Sequence, residues 1–108
     1  MQSDPKLTAR LRRLTEPRGL KERRMFGSAA FFYRGHMAVG VYRRQLMLRL
    51  GEDATARMLQ RKHVAPTNLT GTAMRGWVTV DPPGTARKSQ LDAWIDLALS
   101  FVQTLPAK

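Results

Sequence analysis

Basic side chains near aromatic and aliphatic ones are the residues of this sequence best suited to bind a ligand. Guanidinium groups bind carboxylates and phosphates through paired hydrogen bonds, and they stack on aromatic rings and nucleic-acid bases. The candidates are Arg10, Arg12, Arg13, Lys21, Arg23 and Arg24 near the start of the chain, with Arg49, Arg75 and Trp77 further along. These residues predict an interaction with a nucleic acid or with another acidic partner.

Two of these candidates also have a purely structural interpretation. For Trp77 we favour packing in the core or on a sheet face over contact with a base, because a large ring buries much apolar area. For Arg49, which stands among aliphatic residues, we favour a hydrogen bond to a loop carbonyl. We therefore expect the main role of both side chains to be structural, ahead of ligand binding.

No catalytic or metal-binding pattern emerges from the other polar residues. The chain has no cysteine, which excludes disulfides, thiolate metal sites and a cysteine nucleophile. His36 and His63 lack the acidic neighbours of a metal site, and no His–acid pair is placed to activate Ser28. Asp92 and Asp96 are predicted to lie on a solvent-exposed helix face. We expect no cofactor, no metal and no enzymatic activity.

The net charge of +11 is unevenly distributed along the chain. Residues 1–62 contain 15 Lys or Arg against 5 Asp or Glu, whereas residues 63–108 are close to neutral. Such a charge attracts polyanions over a Debye length of roughly 8–10 Å. One interpretation is a patch for nucleic acid or an acidic protein; another is a general preference for arginine in the source proteome. Both remain open.

Length and composition predict one globular domain over residues 1–108. Hydrophobic residues make up 43% of the chain and charged residues 25%, which is ordinary for a folded domain. Residues 1–13 are polar and basic and lack the apolar segment of a signal peptide. No apolar run is long enough to span a membrane. We expect a cytoplasmic protein that does not contact the membrane.

Periodicity predicts helices at both ends of the chain and antiparallel strands between them. Short turns between consecutive strands require antiparallel pairing, and the apolar stripe of the last helix predicts that it packs on the sheet. The predicted segments are a helix over 3–17, strands over 25–33, 36–42 and 46–50, a helix over 51–61, a loop over 64–72, a strand over 74–80 and a helix over 89–104.

Short motifs follow one another along the chain in a specific order. They centre on Met25, Phe26 and Gly27, then Gly35 and Met37, then Met74, Gly76 and Trp77. In this order and spacing they resemble the N-terminal domain of the TfoX/Sxy family, from about residue 11 to residue 108. Ser28 departs from the pattern, because the family often has a second glycine there. The chain also ends where two-domain members continue into a helical domain, so we expect a free-standing domain.

The resemblance implies both a fold and a function. The fold is a two-layer α+β domain with an antiparallel sheet of about four or five strands. Its helices pack mainly on one face, as in secretion-chaperone-like domains. Two-domain members of the family are regulators of natural competence, and they act as coactivators beside the cyclic-AMP receptor protein and not as enzymes. The resemblance therefore implies a non-enzymatic regulatory or interaction module with a protein partner.

Other functions remain open beside this one. The basic N-terminal half predicts direct, salt-sensitive binding of nucleic acid. An enzyme acting on a phosphate-bearing substrate would use Arg49 and Arg75 as anion clamps. One sheet face is also predicted to stay partly apolar, with Met47, Trp77 and either Phe31 or Phe32 on it. A homodimer through that face or through an edge strand is a further expectation.

Overall fold

The computed structural model describes residues 4–25, 27–68 and 74–107. Their elements are α1 (Pro5–Thr15), β1 (Lys21–Met25), β2 (Ser28–Tyr33), β3 (His36–Tyr42), β4 (Gln45–Arg49), α2 (Glu52–Met58), β5 (Val64–Pro66), β6 (Trp77–Val80) and α3 (Lys88–Val102). The strands form one antiparallel sheet in the order β1-β2-β3-β4-β6-β5. The predicted α+β class is confirmed.

The sheet has six strands in the described part of the chain, more than the four or five expected. The additional strands, β1 and β5, lie at its two edges. Every residue of β1 is exposed, and most are charged. β5 lies within the predicted loop and includes Pro66. An edge strand whose two faces are exposed to solvent lacks apolar alternation. Charged residues or proline on such a strand prevent it from pairing with strands of other chains. The sequence pattern therefore does not reveal them.

α1 begins where the capping residues predict. Asp4 Oδ1 accepts a hydrogen bond from the Lys6 backbone N–H at 3.1 Å, and Pro5 occupies the first helical turn. Leu7 and Leu11 on its inner side are buried. A short 3₁₀ turn and Gly19, at φ +81°, end this segment. The helix thus adds its apolar stripe to the core and leaves its basic side in solvent.

α3 lies across the centre of the sheet and packs on β3 and β4. Its buried residues recur at helical spacing and form one core cluster with the sheet; they are Leu91, Trp94, Ile95, Ala98 and Val102. The indole N–H of Trp94 donates to the Gly84 carbonyl at 3.1 Å, which satisfies its polar group. This packing is the predicted role of the last helix.

Strand register defines the face of the sheet that the helices cover. Phe31, Val39, Leu48 and Val78 are direct neighbours across four strands, and each is at most 1% exposed. All four belong to the same core cluster as the helical stripes. We call this side of the sheet the helical face.

The other side, which we call the open face, carries the alternate residues of the same strands. Ala30, Gly40, Met47 and Thr79 form the corresponding row. Ala30 and Met47 are buried, yet they lie outside the core cluster that contains the helices. Their burial therefore comes from neighbouring side chains on the open face itself.

A bulge in β3 sets which residues reach each face. Phe31 is opposite Val39 but Phe32 is opposite Met37, so Ala38 is an additional residue. Ala38 and Val39 are both completely buried. Met37 and Gly40 are consequently placed together on the open face, where a Cβ at Gly40 would overlap the terminal methyl of Met37.

Substitution of Gly51 by alanine is expected to destabilise the fold by about 3 kcal/mol, against about 1 kcal/mol for Gly19→Ala. Gly51 has φ +81° and ψ 165°, a conformation nearly restricted to glycine, and a Cβ there would lie 2.5 Å from the Phe101 ring. Gly19 has the same φ with open space around it. Urea unfolding of both variants measures the difference, and equal losses would contradict the proposed clash.

Candidate functional site

The open face contains an apolar depression of about 230 Å³, which we call the apolar groove. Its lining comes from strands β1 to β4 and from the segment that leads into β6. The lining residues are Met25, Ser28, Ala29, Ala30, Met37, Val41, Tyr42, Met47, Met74 and Trp77. Four of the chain's six methionines therefore meet in one place.

Local geometry holds each methionine and Trp77 in position. Met25 is opposite Ser28 in the β1–β2 pair, and Met47 lies in the middle of β4. The β3 bulge directs Met37 to the same side. The Met74 backbone N–H donates to the Thr67 carbonyl at 2.9 Å, and the Met74 carbonyl accepts from Trp77 N–H at 3.3 Å. The groove is thus assembled by strand register together with one hydrogen-bonded loop.

The residues that carry the family resemblance largely coincide with this groove. Met25, Met37, Met74 and Trp77 line it. Gly27, Gly35 and Gly76 have positive φ angles of 79°, 87° and 80° and shape turns between elements. Phe26 lies outside the described residues. The motif therefore specifies a surface feature as well as turns, which the sequence pattern alone did not show.

The side chains of the groove are suited to binding more than to chemistry. Met25 is 38% exposed and Met47 6%, so the floor is covered while the rim is open. Methionine is flexible and polarisable and adapts to varied apolar groups, and an exposed apolar patch marks an interaction site. Within the described residues, the buried Ser28 hydroxyl has no hydrogen-bond partner. The groove therefore offers apolar contact area with one polar group in its wall.

The predicted basic cluster is divided between the two faces of the sheet. In β1, Arg23 is opposite Ala30 and therefore lies on the open face, as does Lys21 two residues earlier. Arg24 is opposite Ala29 and lies on the helical face, where its guanidinium donates to the Gly27 carbonyl at 3.4 Å. Adjacent basic residues in the sequence consequently belong to different surfaces.

The arginines of α1 lie on the helical side of the molecule. Arg10 donates to the Ala86 carbonyl at 3.2 Å. Arg12 forms a two-point ion pair with Glu22, at 2.6 and 2.8 Å, and this pairing lowers the pKa of Glu22. Arg13 is exposed on the same helix. The basic residues of the first half therefore do not form a single stripe.

Lys21 and Arg23 meet three residues that the sequence did not single out for binding. The Arg23 guanidinium carbon lies 5.1 Å from the centre of the Phe32 ring, and that of Arg34 lies 5.3 Å from the Tyr33 ring. Together these five residues line a second, polar groove of about 370 Å³, and we call them the basic–aromatic cluster. Arg34 and Gly35, at φ 50° and 87°, form a two-residue hairpin turn. This turn is the feature of the sequence from which the position of Arg34 can be recognised.

Arg49 and Arg75 are directed at neighbouring side chains and do not line the apolar groove. The Arg49 guanidinium carbon lies 5.7 Å from the Phe101 ring centre, so its contact is a ring and not the loop carbonyl favoured above. Arg75 forms an exposed ion pair with Glu52 at 2.7 Å. Trp77 packs on the open sheet face, half-buried. Each of the two arginines therefore contacts a side chain of its own, Phe101 for Arg49 and Glu52 for Arg75.

The acidic pair on α3 links that helix to the end of the first helical segment. Arg18 reaches Asp96 at 2.8 Å and Asp92 at 3.1 Å, and Lys88 reaches Asp92 at 2.6 Å. The hydrogen bond from Lys88, with that from Arg18, holds the pKa of Asp92 below its ordinary value. The hydrogen bond to Asp96 raises the pKa of Arg18. These carboxylates therefore form ion pairs that attach α3 to the segment after α1.

Within residues 4–25, 27–68 and 74–107, no three His, Asp or Glu side chains are arranged to hold a metal ion. Among the helices described, none has both the length and the apolar character needed to cross a bilayer.

The sequence model of the TfoX N-terminal domain matches residues 12–102, which is nearly the whole chain. The chain belongs to this family. Comparison with curated proteins and with solved structures gives no significant match. Membership supports a regulatory or interaction module of the TfoX kind. In this TfoX N-terminal domain, four motif side chains line the apolar groove, so the family pattern and the candidate site coincide.

The substitution Asp92→Asn is expected to destabilise this TfoX N-terminal domain at neutral pH and to have less effect in acid. A carboxylate whose pKa is lowered on folding contributes stability above its unfolded pKa, near 4, and that contribution is lost as the pH falls through the folded pKa. Urea unfolding of both proteins between pH 7 and pH 2.5 measures this. A difference that stays constant down to pH 2.5 would contradict the role of the ion pairs.

Proposed function

We propose that this domain is a non-enzymatic interaction module that binds a protein partner through the apolar groove. The observation that carries the proposal is the gathering of Met25, Met37, Met47, Met74 and Trp77 on a sheet face that the helices leave uncovered. Interfaces are enriched in methionine and aromatic residues at their centres. The regulatory part of the proposal comes from membership in the TfoX N-terminal domain family.

The composition of the groove favours binding over catalysis. Its described lining is apolar except for the hydroxyl groups of Ser28 and Tyr42, and neither Ser28 nor Tyr42 is hydrogen-bonded to a base in the described structure. General acid–base catalysis needs a titratable group within hydrogen-bond reach of the substrate. The two arginines of the phosphate-enzyme hypothesis, Arg49 and Arg75, contact Phe101 and Glu52 instead. A binding surface is the function that this geometry supports best.

A photo-reactive amino acid at position 74 is expected to trap a protein of discrete mass in cells of the native host. The matched control carries the same group at Gln103, an exposed residue beyond the end of α3. Adding Gly40→Ala should reduce the adduct about fivefold, because the new Cβ displaces the terminal methyl of Met37 within the groove. Circular dichroism checks that the variant folds, which we expect because only a flexible side-chain end must move.

The outcome of this crosslinking is decisive in either direction. Adducts that appear at position 74 and weaken with Gly40→Ala would establish the groove as a protein-binding site. The same adducts from positions 74 and 103, or adducts to nucleic acid at position 74, would refute the proposal.

Nucleic-acid binding is a second candidate, and the basic–aromatic cluster is the observation that favours it. Lys21, Arg23 and Arg34 surround Phe32 and Tyr33, an arrangement that suits a phosphate backbone with stacked bases. Each phosphate neutralised in a single strand contributes about 0.7 to the slope of log affinity against log salt. Binding through this cluster therefore predicts a slope that depends on these three cations.

Changing Lys21, Arg23 and Arg34 together to glutamine is expected to reduce this salt slope by about 2. The measurement is fluorescence anisotropy with a labelled single-stranded oligonucleotide at several salt concentrations. A triple change on α1, Lys6, Arg10 and Arg13 to glutamine, removes the same charge from the other face as a control. Equal reductions would indicate non-specific attraction, and absence of binding at low salt would eliminate this function.

A further inference from the structure

Two basic side chains border the strands that form the apolar groove. Arg23, on the edge strand β1, is opposite the groove residue Ala30 and stacks on Phe32. Arg43 occupies the turn after β3, with its guanidinium carbon 5.3 Å from the ring of Tyr42, which lines the groove. Both cations therefore lie next to residues of the groove, one beside it and one beyond the end of β3.

Carboxylates are missing from the described lining of the groove. The nearest acidic residues along the contributing strands are already engaged. Glu22 lies on the helical face and pairs with Arg12. Asp81, at the end of β6, accepts a hydrogen bond from the Gln45 amide at 2.6 Å. Arg23 and Arg43 therefore have no acidic partner within the described lining of the groove.

This charge distribution argues against a second copy of the chain as the occupant. A symmetric homodimer brings the same patch of each protomer together. Two grooves placed face to face would bring Arg23 and Arg43 of one copy close to the same cations of the other, without carboxylates from the described lining between them. The net charge of +11 on each copy adds to that repulsion. An acidic partner removes the conflict.

The size and lining of the groove indicate what enters it. Its volume, about 230 Å³, is below the roughly 300–1,000 Å³ of sites that enclose a small molecule. Methionine side chains adapt their shape to inserted apolar groups. The groove therefore suits a few apolar side chains of a polypeptide whose backbone stays at the surface. The Ser28 hydroxyl in the wall supplies one hydrogen-bonding group.

We propose that the occupant is an acidic amphipathic segment of another protein. Its apolar side chains enter the groove between Met37, Met47 and Trp77, and its carboxylates pair with Arg23 and Arg43. The inference rests on the proposed function, because it names the partner chemistry of the same groove.

A random peptide library selected on the 108-residue protein tests this partner chemistry. Bound peptides are counter-selected against Gly40→Ala and against a double variant, Met37→Ser with Met74→Ser. Both keep the charge of the wild type, so peptides held by charge alone are removed. Circular dichroism and urea unfolding verify both variants, and Gly40→Ala serves alone if the double variant is unfolded. We expect groove-dependent peptides with a net negative charge and at least two large apolar residues.

Variants of the two bordering arginines test the charge pairing with a selected peptide. Arg23→Gln and Arg43→Gln are each expected to weaken binding about two- to fivefold at low salt, and less at high salt. Arg13→Gln on α1 removes the same charge from the opposite face and should leave the affinity unchanged. Equal losses for all three variants would overturn the proposed pairing.

The remaining outcomes separate this inference from the proposed function. Groove-dependent peptides that are neutral or basic would overturn the acidic partner and leave the groove as a protein-binding site. Absence of any groove-dependent peptide would overturn both. Sedimentation tests the second copy: we expect a monomer, and a dimer that Gly40→Ala dissociates would assign the groove to self-association and overturn the inference.

Discussion

The packing of α3 across β3 and β4 is the interaction on which the rest of the molecule depends. Leu91, Ile95 and Ala98 are completely buried against strand residues that are equally inaccessible. A chain of this size can bury one modest core, so its helices gather on one side of the sheet. Because the helices lie on one side, the other side of the sheet has no covering layer. Side chains on that side therefore shield one another, and the apolar groove is the consequence.

The bulge in β3 connects the core with the groove. It turns Ala38 and Val39 to the helices together, which fills the space beneath α3. Without the additional residue, strand alternation would place Met37 on the helical face with Val39 and Val41. With it, Met37 lies over Gly40, where the missing side chain leaves room for the methionine. One backbone irregularity thus shapes both the core packing and the apolar groove.

The parts of the fold that bury one face are the parts that periodicity predicts. The stripe from Leu91 to Val102 and the alternation in β4 identify α3 and a central strand, and both are found. β1 escapes prediction because an edge strand that is exposed on both faces has no apolar alternation, and β5 because its three residues, Val64–Pro66, are too few to show a pattern. Residues 69–72 of the predicted loop lie outside the described residues.

The site was predictable only in its components. Met25, Met37, Met74 and Trp77 stand out through their order and spacing along the family motif, but spacing does not reveal that they meet. Their meeting depends on the register of four strands and on the β3 bulge, which are long-range properties. For the basic cluster the sequence misleads in the opposite way. Neighbours such as Arg23 and Arg24 suggest one patch, although they do not lie together. Alternation along β1 sends them to opposite faces.

The cations on the two faces of the sheet differ in how they are paired. On the helical side, Arg12 and Arg18 pair with carboxylates, so much of that charge is neutralised within the fold. On the open side, Arg23 and Arg43 lie over aromatic rings and form no ion pair among the described residues. A ring contact orients a guanidinium without cancelling its charge. The open side therefore carries cations whose charge no carboxylate among the described residues cancels, beside apolar side chains that no helix covers.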